Sequence, residues 1–442
     1  MKVLLLAAGR SKRLKPIEDK NFLSFLGRPL IAHQIEQIRS CGLKEIIIVG
    51  GKHNLAAIKK LAAGIDPRIK VVEQKDLEAG MAGAVLAASK LIDGDSVFIV
   101  SANDVVEAEA YKLVLRAAKD KAFDSCIIGK RVGSYFPGGY LKVRGNGMIS
   151  GIVEKPGAGR EPSKMINLVL HFHRSGARLV EAIKSVKAKH DNHYEIALDA
   201  LIKGGARMKA ISYDGFWQPI KYPWHVFTMM NYFFGCLRGI KKGKHVQIAK
   251  SATIKGKVFL AEGVKIMENA VIAGPAYIGK NTIIATNALV RESEIGENCV
   301  IGFGSEVARS HLGNDVWTHS NYIGDSIIGN NCSFGSGTVT GNLRLDEANI
   351  LVNIEGEKIG SGTTKLGLIM GDDVRCGINT SFMPGIKIGK NSFIGAGIVV
   401  AQDIADDKFA YGRTELILKD NTAKADKKKR QEMRNKVKGH KP

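Results

Sequence analysis

IAKSATIKGKVFLAEGVKIMENAVIAGPAYIGKNTIIATNALV, residues 248–290, carries an aliphatic side chain at every sixth position: Ile248, Ile254, Leu260, Ile266, Ile272, Ile278, Ile284 and Val290. After a slip of one residue, Ile295, Ile301 and Val307 keep the same step, and it returns at Met370, Cys376, Phe382, Ile388, Ile394 and Val400. A helix repeats every 3.6 residues and a strand every 2, so neither produces this period. Six residues make one short side of a triangular coil, with the aliphatic residue pointing into the prism and Gly or Asn at the corners. The corners are supplied by IGKN (278–281), IGEN (295–298), IGNN (328–331) and IGKN (388–391). The pattern is that of a left-handed parallel β-helix of hexapeptide repeats, and it is assigned to residues 238–420.

Working back from residue 248, the pattern changes. Val3–Ala7, Glu45–Val49, Val71–Val72 and Ser96–Val100 are short apolar runs, and Leu30–Ser40 repeats apolar residues at helical spacing. Buried strands separated by helices imply an α/β domain with a mostly parallel, Rossmann-like sheet covered on both faces. This domain is expected to span residues 1–237. It would end in an amphipathic linker helix, Tyr222–Leu237, with Arg238–His245 as a hinge. Trp217, Trp224, Phe233 and Phe234 are expected to pack that helix against the first domain rather than to form a ligand pocket.

Beyond the repeats, residues 421–442 are expected to be a basic, disordered tail, since charge blocks are usually solvated. The tail contributes to a net charge of +22 over 442 residues. No RNA-binding motif accompanies that charge, so nucleic acid is not an expected partner. Six cysteines lie far apart with no CxxC pair, which argues for reduced thiols and against a zinc site. MKVLLLAAG is too short a run for a signal peptide, and Pro223–Leu237 is too short to span a bilayer. A cytoplasmic protein without a membrane segment is the expectation.

The segment AAGRSKRLKP, residues 7–16, follows the first strand. A turn of small residues there, Ala8 and Gly9, lets backbone amides approach a phosphate, and Arg13 and Lys20 add positive charge. The stretch LLLAAGRSKRLKP…DKNFLSFLGRPLI resembles the opening of the sugar-1-phosphate nucleotidyltransferases. The resemblance continues through VVEQKDLEAGMAGA (Gln74, Gly80), SANDVV (Asp104), GGYLKV (Gly139, Tyr140), IVEKP (Glu154, Lys155) and MINLVL (Asn167). It implies a base-contacting role for Gln74 and Gly80, and a Mg²⁺-binding role for Asp104. It likewise implies a grip on the sugar phosphate by Gly139, Glu154, Lys155 and Asn167. The implied reaction is in-line attack of a sugar-1-phosphate oxygen on the α-phosphate of an NTP, UTP being the expected one, with Arg13 and Lys20 as catalytic cations. Ser11–Lys12 and Glu78–Ala79 depart from the Gly-Thr pairs of the family, and Pro219 stands where many relatives carry a second metal-binding Asp.

The stretch THSNYIGDSIIGNNCSFGSGTVTGNLRL, residues 318–345, interrupts the regular repeat. It resembles the acetyltransferase half of the bifunctional enzymes that make UDP-N-acetylglucosamine, the archaeal form above all. That resemblance implies acetyl transfer from acetyl-CoA to the amine of a hexosamine 1-phosphate. His319 would be the general base, the backbone N–H near Ser336 the oxyanion donor, Tyr322 and Asn342 sugar contacts, and Lys365 a phosphate partner. Ser333 replaces an Asn of the bacterial enzymes. A homotrimer is the implied assembly. Two alternatives stay open: an acetyltransferase whose first domain binds nucleotide without turnover, and a regulatory or scaffold protein of the same domain pair. Retention of Arg13, Lys20, Asp104 and His319 argues against the scaffold.

Overall fold

A computed structural model of the chain describes residues 1–188, 192–413, 415–422 and 425–439. The first strand, Lys2–Leu6, lies between Ile46–Gly51 and Val97–Ser101 and is parallel to both, and Lys70–Gln74 extends the parallel half. Met165–His173 joins Val97–Ser101 antiparallel and starts the other half, with Gly139–Val143, Ile149–Glu154, Ser125–Arg131 and Met208–Ser212. Alternate side chains of each central strand enter different cores: Val3, Leu5, Ile48 and Val100 one, Leu4, Ile47, Val49 and Ile99 the other. Both faces are covered, which is why these strands read as unbroken apolar runs. Leu30–Ser40 is a helix over the span that its spacing predicts.

The six-residue repeat folds as three parallel ladders wound into a prism. Leu260, Ile272, Ile278, Ile284, Val290, Ile295, Ile301, Val307, Met370 and Ile388 are fully buried inside it. Ile248 and Ile254, on the first coil, are half-buried against the same core because nothing covers them from above. The corner residues Asn281, Asn298, Asn331 and Asn391 have φ between 52° and 56°, a left-handed turn that Asn tolerates well. Before each comes a glycine that the stacking requires. A Cβ on Gly279 would meet the Gly296 carbonyl carbon at 2.4 Å, and one on Gly296 would meet the Gly313 oxygen at 2.4 Å.

The expected hinge is not one. Ile240–Lys242 already pairs in parallel with Val258–Leu260 as the first rung of the prism, so the chain passes from linker helix to coil almost at once. The linker helix, His225–Gly235, buries Val226, Met229, Met230, Phe233 and Phe234 against Phe25 and Leu14 of the first domain and Tyr277 and Ile327 of the prism. Each such side chain is worth ~1.5–3 kcal/mol on burial, so the two domains are held as one. Met1–Ala410 forms a single compact unit. An inserted hairpin, Leu351–Ile354 with Glu357–Gly360, turns Val352 and Ile354 toward Trp224 and Phe227.

Tyr411–Pro442 is a separate unit. Where the sequence leads one to expect disorder, Lys427–Gly439 is helical. Lys, Arg, Gln, Glu and Met are good helix formers, and Asp426 caps the first turn by accepting from Lys428 N (2.8 Å) and Lys429 N (3.2 Å). Ala423, from which the basic run is counted, lies outside the described residues. Among the described residues no helix is long and apolar enough to cross a membrane.

One polar pair sits within the domain interface. The ladder facing the first domain carries Tyr277, Glu294, His311 and Ile327 in register. Glu294 is buried with its carboxyl pushed up to about 8 by desolvation, and burial pushes the His311 ring down to about 4. Their nearest atoms, Oε2 and Nδ1, are 3.9 Å apart. Folding therefore prefers both groups neutral. The Glu294 contribution is full below the unfolded value near 4.5 and is lost as pH rises toward 8; that of His311 is lost as pH falls from 6.5 toward 4. Thermal stability should peak near pH 5–6.5, and Glu294→Gln should flatten the alkaline decline, which is bounded at roughly 1.4 kcal/mol per pH unit. Melting curves at pH 5.5 and 8 check this; an unchanged decline in Glu294→Gln would remove Glu294 as its source.

Candidate functional site

The loop after the first strand is pinned from below. Ala7 O accepts from Asn21 Nδ2 (3.0 Å) and Asn54 Nδ2 (2.9 Å), and both amides also reach the Asp19 carboxylate. This fixes Ala8, which is buried, and Gly9, which is exposed. Lys20 arches over the turn, and a Cβ at Gly9 would lie 3.6 Å from its ammonium. Arg13 stands at the mouth with its guanidinium over the Tyr222 ring, 5.7 Å from the centroid. Desolvation lowers the Lys20 pKa, opposed by the attraction of Asp104.

Asp104 begins the short strand Asp104–Val106, beside the end of Val97–Ser101 at the carboxyl edge of the sheet, where α/β folds gather ligand groups. It is buried, and desolvation raises its pKa against the pull of Lys221 and Lys20. Gln74 is turned inward: its Nε2 donates to Asp76 O (2.8 Å) and Gly80 O (2.9 Å), so it shapes the loop beside the cleft. Gly80 has φ 52° there. Arg10 pairs with Glu78 across the two loops, a link that sequence reasoning missed.

Opposite this group, three of the expected sugar-phosphate residues converge. A Cβ on Gly139 would lie 2.9 Å from both Asn167 Nδ2 and Glu154 Oε2, so only glycine leaves room between them. Lys155, at φ 44°, puts its ammonium 3.5 Å from Glu154 and donates its backbone N–H to Gly138 O. Tyr140 is buried and accepts Phe136 N–H (2.8 Å), so it shapes the lip. The structure also adds Lys221, unmarked by any motif in the sequence; burial brings its ammonium down to about 8 despite Asp104.

A divalent cation finds one carboxylate here. Pro219 faces Asp104 across the strand pair Trp217–Pro219 and Asp104–Val106. No group of three or more His, Cys, Asp or Glu able to hold a metal occurs among the described residues. The donors fit an ion that brings most of its ligands with it, as Mg²⁺ does with phosphates and water, and do not fit a cage built by the protein.

The second cluster lies on the prism. His319 and Ser336 sit on one corner in successive coils: Ser320 O accepts Gly337 N–H (2.9 Å), and Asn321 Nδ2 bonds Gly335 O and Thr338 O. Asn321 Oδ1 also takes His319 N–H (2.6 Å), and the exposed imidazole projects outward. The strand Tyr322–Gly324 leads to the next corner. There Asp325 receives two parallel bonds of 2.7 Å from Arg309 Nε and Nη2, and Asn342 Nδ2 reaches both Asp325 and the Tyr322 hydroxyl (3.1 Å). Asp325 raises the Arg309 pKa further, so its charge is permanent. Lys365 and Arg309 share the wall of a cavity of about 540 Å³ with Trp224, Asn231 and Thr363. Tyr322, Asn342 and Lys365 are thus brought together, and His319 and Ser336 form a second group one strand away. Arg309 escaped notice because it lies sixteen residues before Asp325, one coil up; only the coil register reveals it.

Residues 2–220 match the nucleotidyl transferase family, and residues 257–292 match the bacterial transferase hexapeptide (six repeats). The bifunctional protein GlmU of Methanococcus maripaludis is 32% identical over 424 residues, 95% of this chain and 99% of its own length. A bifunctional sugar-1-phosphate nucleotidylyltransferase/acetyltransferase of Sulfurisphaera tokodaii is 33% identical over 416 residues, 92% and 99% of the two chains. The bifunctional protein GlmU of Methanocaldococcus jannaschii is 32% identical over 425 residues, 95% and 99%.

The facing of Pro219 and Asp104 sets a test. Pro219→Asp puts a second buried carboxylate beside the first, which should lower stability in EDTA by on the order of 3 kcal/mol. Mg²⁺ should restore it, whereas wild-type stability should hardly respond. Melting curves in EDTA and in Mg²⁺ check this; a variant whose melting ignores Mg²⁺ would show that the two positions do not converge on one ion.

Proposed function

The chain belongs to the family of bifunctional sugar-1-phosphate nucleotidyltransferase/acetyltransferases, and from that premise we propose that it makes a UDP-N-acetylhexosamine at two separate centres. It acetylates the amine of a hexosamine 1-phosphate and transfers a nucleotidyl group from an NTP, UTP being the proposed one, to the sugar 1-phosphate. The observation that best supports this is the convergence of Gly139, Glu154 and Asn167 opposite a cation-lined glycine turn, in the same unit as the His319 corner.

In the first centre, the amides at Ala8–Gly9 receive the triphosphate, while Arg13 and Lys20 oppose the charge that builds on the α-phosphate. Gln74 and Gly80 shape the base side. Glu154 and Asn167 hold the sugar and Lys155 its phosphate, so that a phosphate oxygen approaches in line and pyrophosphate leaves. Asp104 would be the one protein ligand of a Mg²⁺ ion, which supplies charge neutralisation when bound with the triphosphate.

In the second centre, His319 takes the proton that the amine loses as its nitrogen forms a bond to the acetyl carbon of acetyl-CoA. The N–H near Ser336 stabilises the oxyanion; the C–S bond then breaks and the thiolate leaves with a proton. Tyr322 and Asn342 hold the sugar, and Lys365 its phosphate. Arg309 fixes Asp325 and through it Asn342, so it acts as a positioning residue.

Exposed Phe303, Trp317, Ile378, Phe393 and Val399 lie on or beside the two prism faces that meet at the His319 corner. Together with the hexapeptide repeats, these exposed side chains support a homotrimer that shares those faces as the proposed assembly. The cytoplasm is the proposed location, in keeping with these substrates. One observation, Pro219 facing Asp104, favours the second reading, an acetyltransferase with a nucleotide-binding domain that does not turn over.

His319→Ala should cut acetyl transfer by roughly 10²–10⁴ and spare nucleotidyl transfer to a pre-acetylated sugar phosphate. Asp104→Ala should do the reverse. Separate assays of thiol and pyrophosphate release check both; loss of both activities in either variant would contradict two independent centres.

A further inference from the structure

The strand Trp217–Pro219 runs antiparallel to Asp104–Val106, with Pro219 opposite Asp104, and Ile220 N–H donates to Asn103 O at 3.0 Å. The chain is therefore held against the acid-bearing segment at this point. Two residues past Pro219 comes Lys221. Its Nζ donates to Pro137 O at 3.0 Å and lies over the Phe136 ring, 3.9 Å from the centroid. The next residues of that loop are Gly138, whose carbonyl takes Lys155 N–H, and Gly139, flanked by Glu154 and Asn167. One side chain thus runs from the strand facing Asp104 to the lip of the sugar-phosphate pocket. The ammonium makes this single hydrogen bond among the described residues, leaving two donors unused.

The charges felt by Lys221 come from both halves of the cleft: Asp104 and Arg13 on the nucleotide side, Glu154 and Lys155 on the sugar side. The two reacting phosphates must meet between these groups. One carboxylate with one ammonium carries the same net charge as two carboxylates with a divalent cation. With Pro219 in the facing position, Lys221 balances Asp104 while no metal ion is bound.

We propose that Lys221 is a substrate-contacting cation of the nucleotidyl centre, binding oxygens of the NTP α-phosphate and of the sugar phosphate, and that it lets the nucleotide bind without a metal ion. This rests on the nucleotidyl-transfer reading for the identity of the two phosphates. Unlike a structural lysine, such a residue shows itself in metal-free binding.

The test is calorimetric titration of the full-length protein with UTP in EDTA and again in Mg²⁺. Wild type should bind in EDTA within about tenfold of its affinity in Mg²⁺. Lys221→Met should lose on the order of ten- to a hundredfold in EDTA, the span of one charge-assisted hydrogen bond, and recover part of it in Mg²⁺. Lys221→Arg, which keeps the charge and folds in the same context, should retain most of the metal-free affinity. Wild type that binds UTP only with Mg²⁺, or not at all, would overturn the proposal, as would Lys221→Met binding like wild type in EDTA. If UTP binds as expected but no sugar nucleotide forms, the nucleotidyl-transfer reading fails and the Lys221 contact stands.

Discussion

Each coil of the prism rests on the next through parallel backbone hydrogen bonds, and that stacking sets the ladders that carry both the second centre and the seat of the first domain. Consecutive coils approach so closely at their corners that a Cβ on Gly279, Gly296, Gly302 or Gly389 would run into the backbone of the next coil. The same contact forces one aliphatic side chain per six residues into the interior. It also turns the outward residues of successive coils into vertical ladders. One ladder, Tyr277–Glu294–His311–Ile327, meets Phe25 and the linker helix, so the prism offers the first domain a flat and rigid seat. The seat excludes water well enough to hold Glu294 and His311 neutral.

Both centres inherit their geometry from backbone repetition rather than from loops that find each other. In the first domain, the glycine turn and the sugar-side residues follow or lie on strands of one sheet, and Asp104 begins a separate two-stranded pair just beyond Val97–Ser101, so strand positions fix much of their separation. In the second, His319 and Ser336 are neighbours because their coils are neighbours, as are Arg309 and Asp325 one corner further on. The bidentate Arg309–Asp325 pair joins a half-buried guanidinium to a buried carboxylate, and its value here is directional, since Asp325 orients Asn342 toward Tyr322. Charge is divided in the same way. Arg13, Lys20 and Lys221 gather around the cleft beside the glycine turn, with Asp104 the buried acid among them.

The prism was legible almost coil by coil, because stacking imposes the same demand on each turn and the demand falls on the residue type. The glycine turn, Asp104 and the group Gly139, Glu154 and Asn167 were legible through the order of short motifs. What stayed hidden depends on register between distant segments. Nothing about Lys221 in isolation distinguishes it from the chain's other lysines; its meaning comes from the pairing of Pro219 with Asp104 and from its reach to Pro137. Arg309 needed the coil register, and Glu294 looked like one more outward residue until the first domain covered it. Arg238–His245 read as a hinge since Gly and Lys favour loops, yet Ile240–Lys242 joins the first coil by pairing along one edge with Val258–Leu260. The tail read as disordered from its charge, although its residues individually favour helix.

The central claim is that one chain carries both chemistries to completion. The most direct measurement is to incubate the purified protein with glucosamine 1-phosphate, acetyl-CoA, UTP and Mg²⁺ and to identify the products by mass. The expected product is a UDP-N-acetylhexosamine, with free thiol and pyrophosphate released in equal amounts. Accumulation of N-acetylglucosamine 1-phosphate with UTP left unconsumed would contradict it, and would leave the first domain a nucleotide-binding partner of an acetyltransferase.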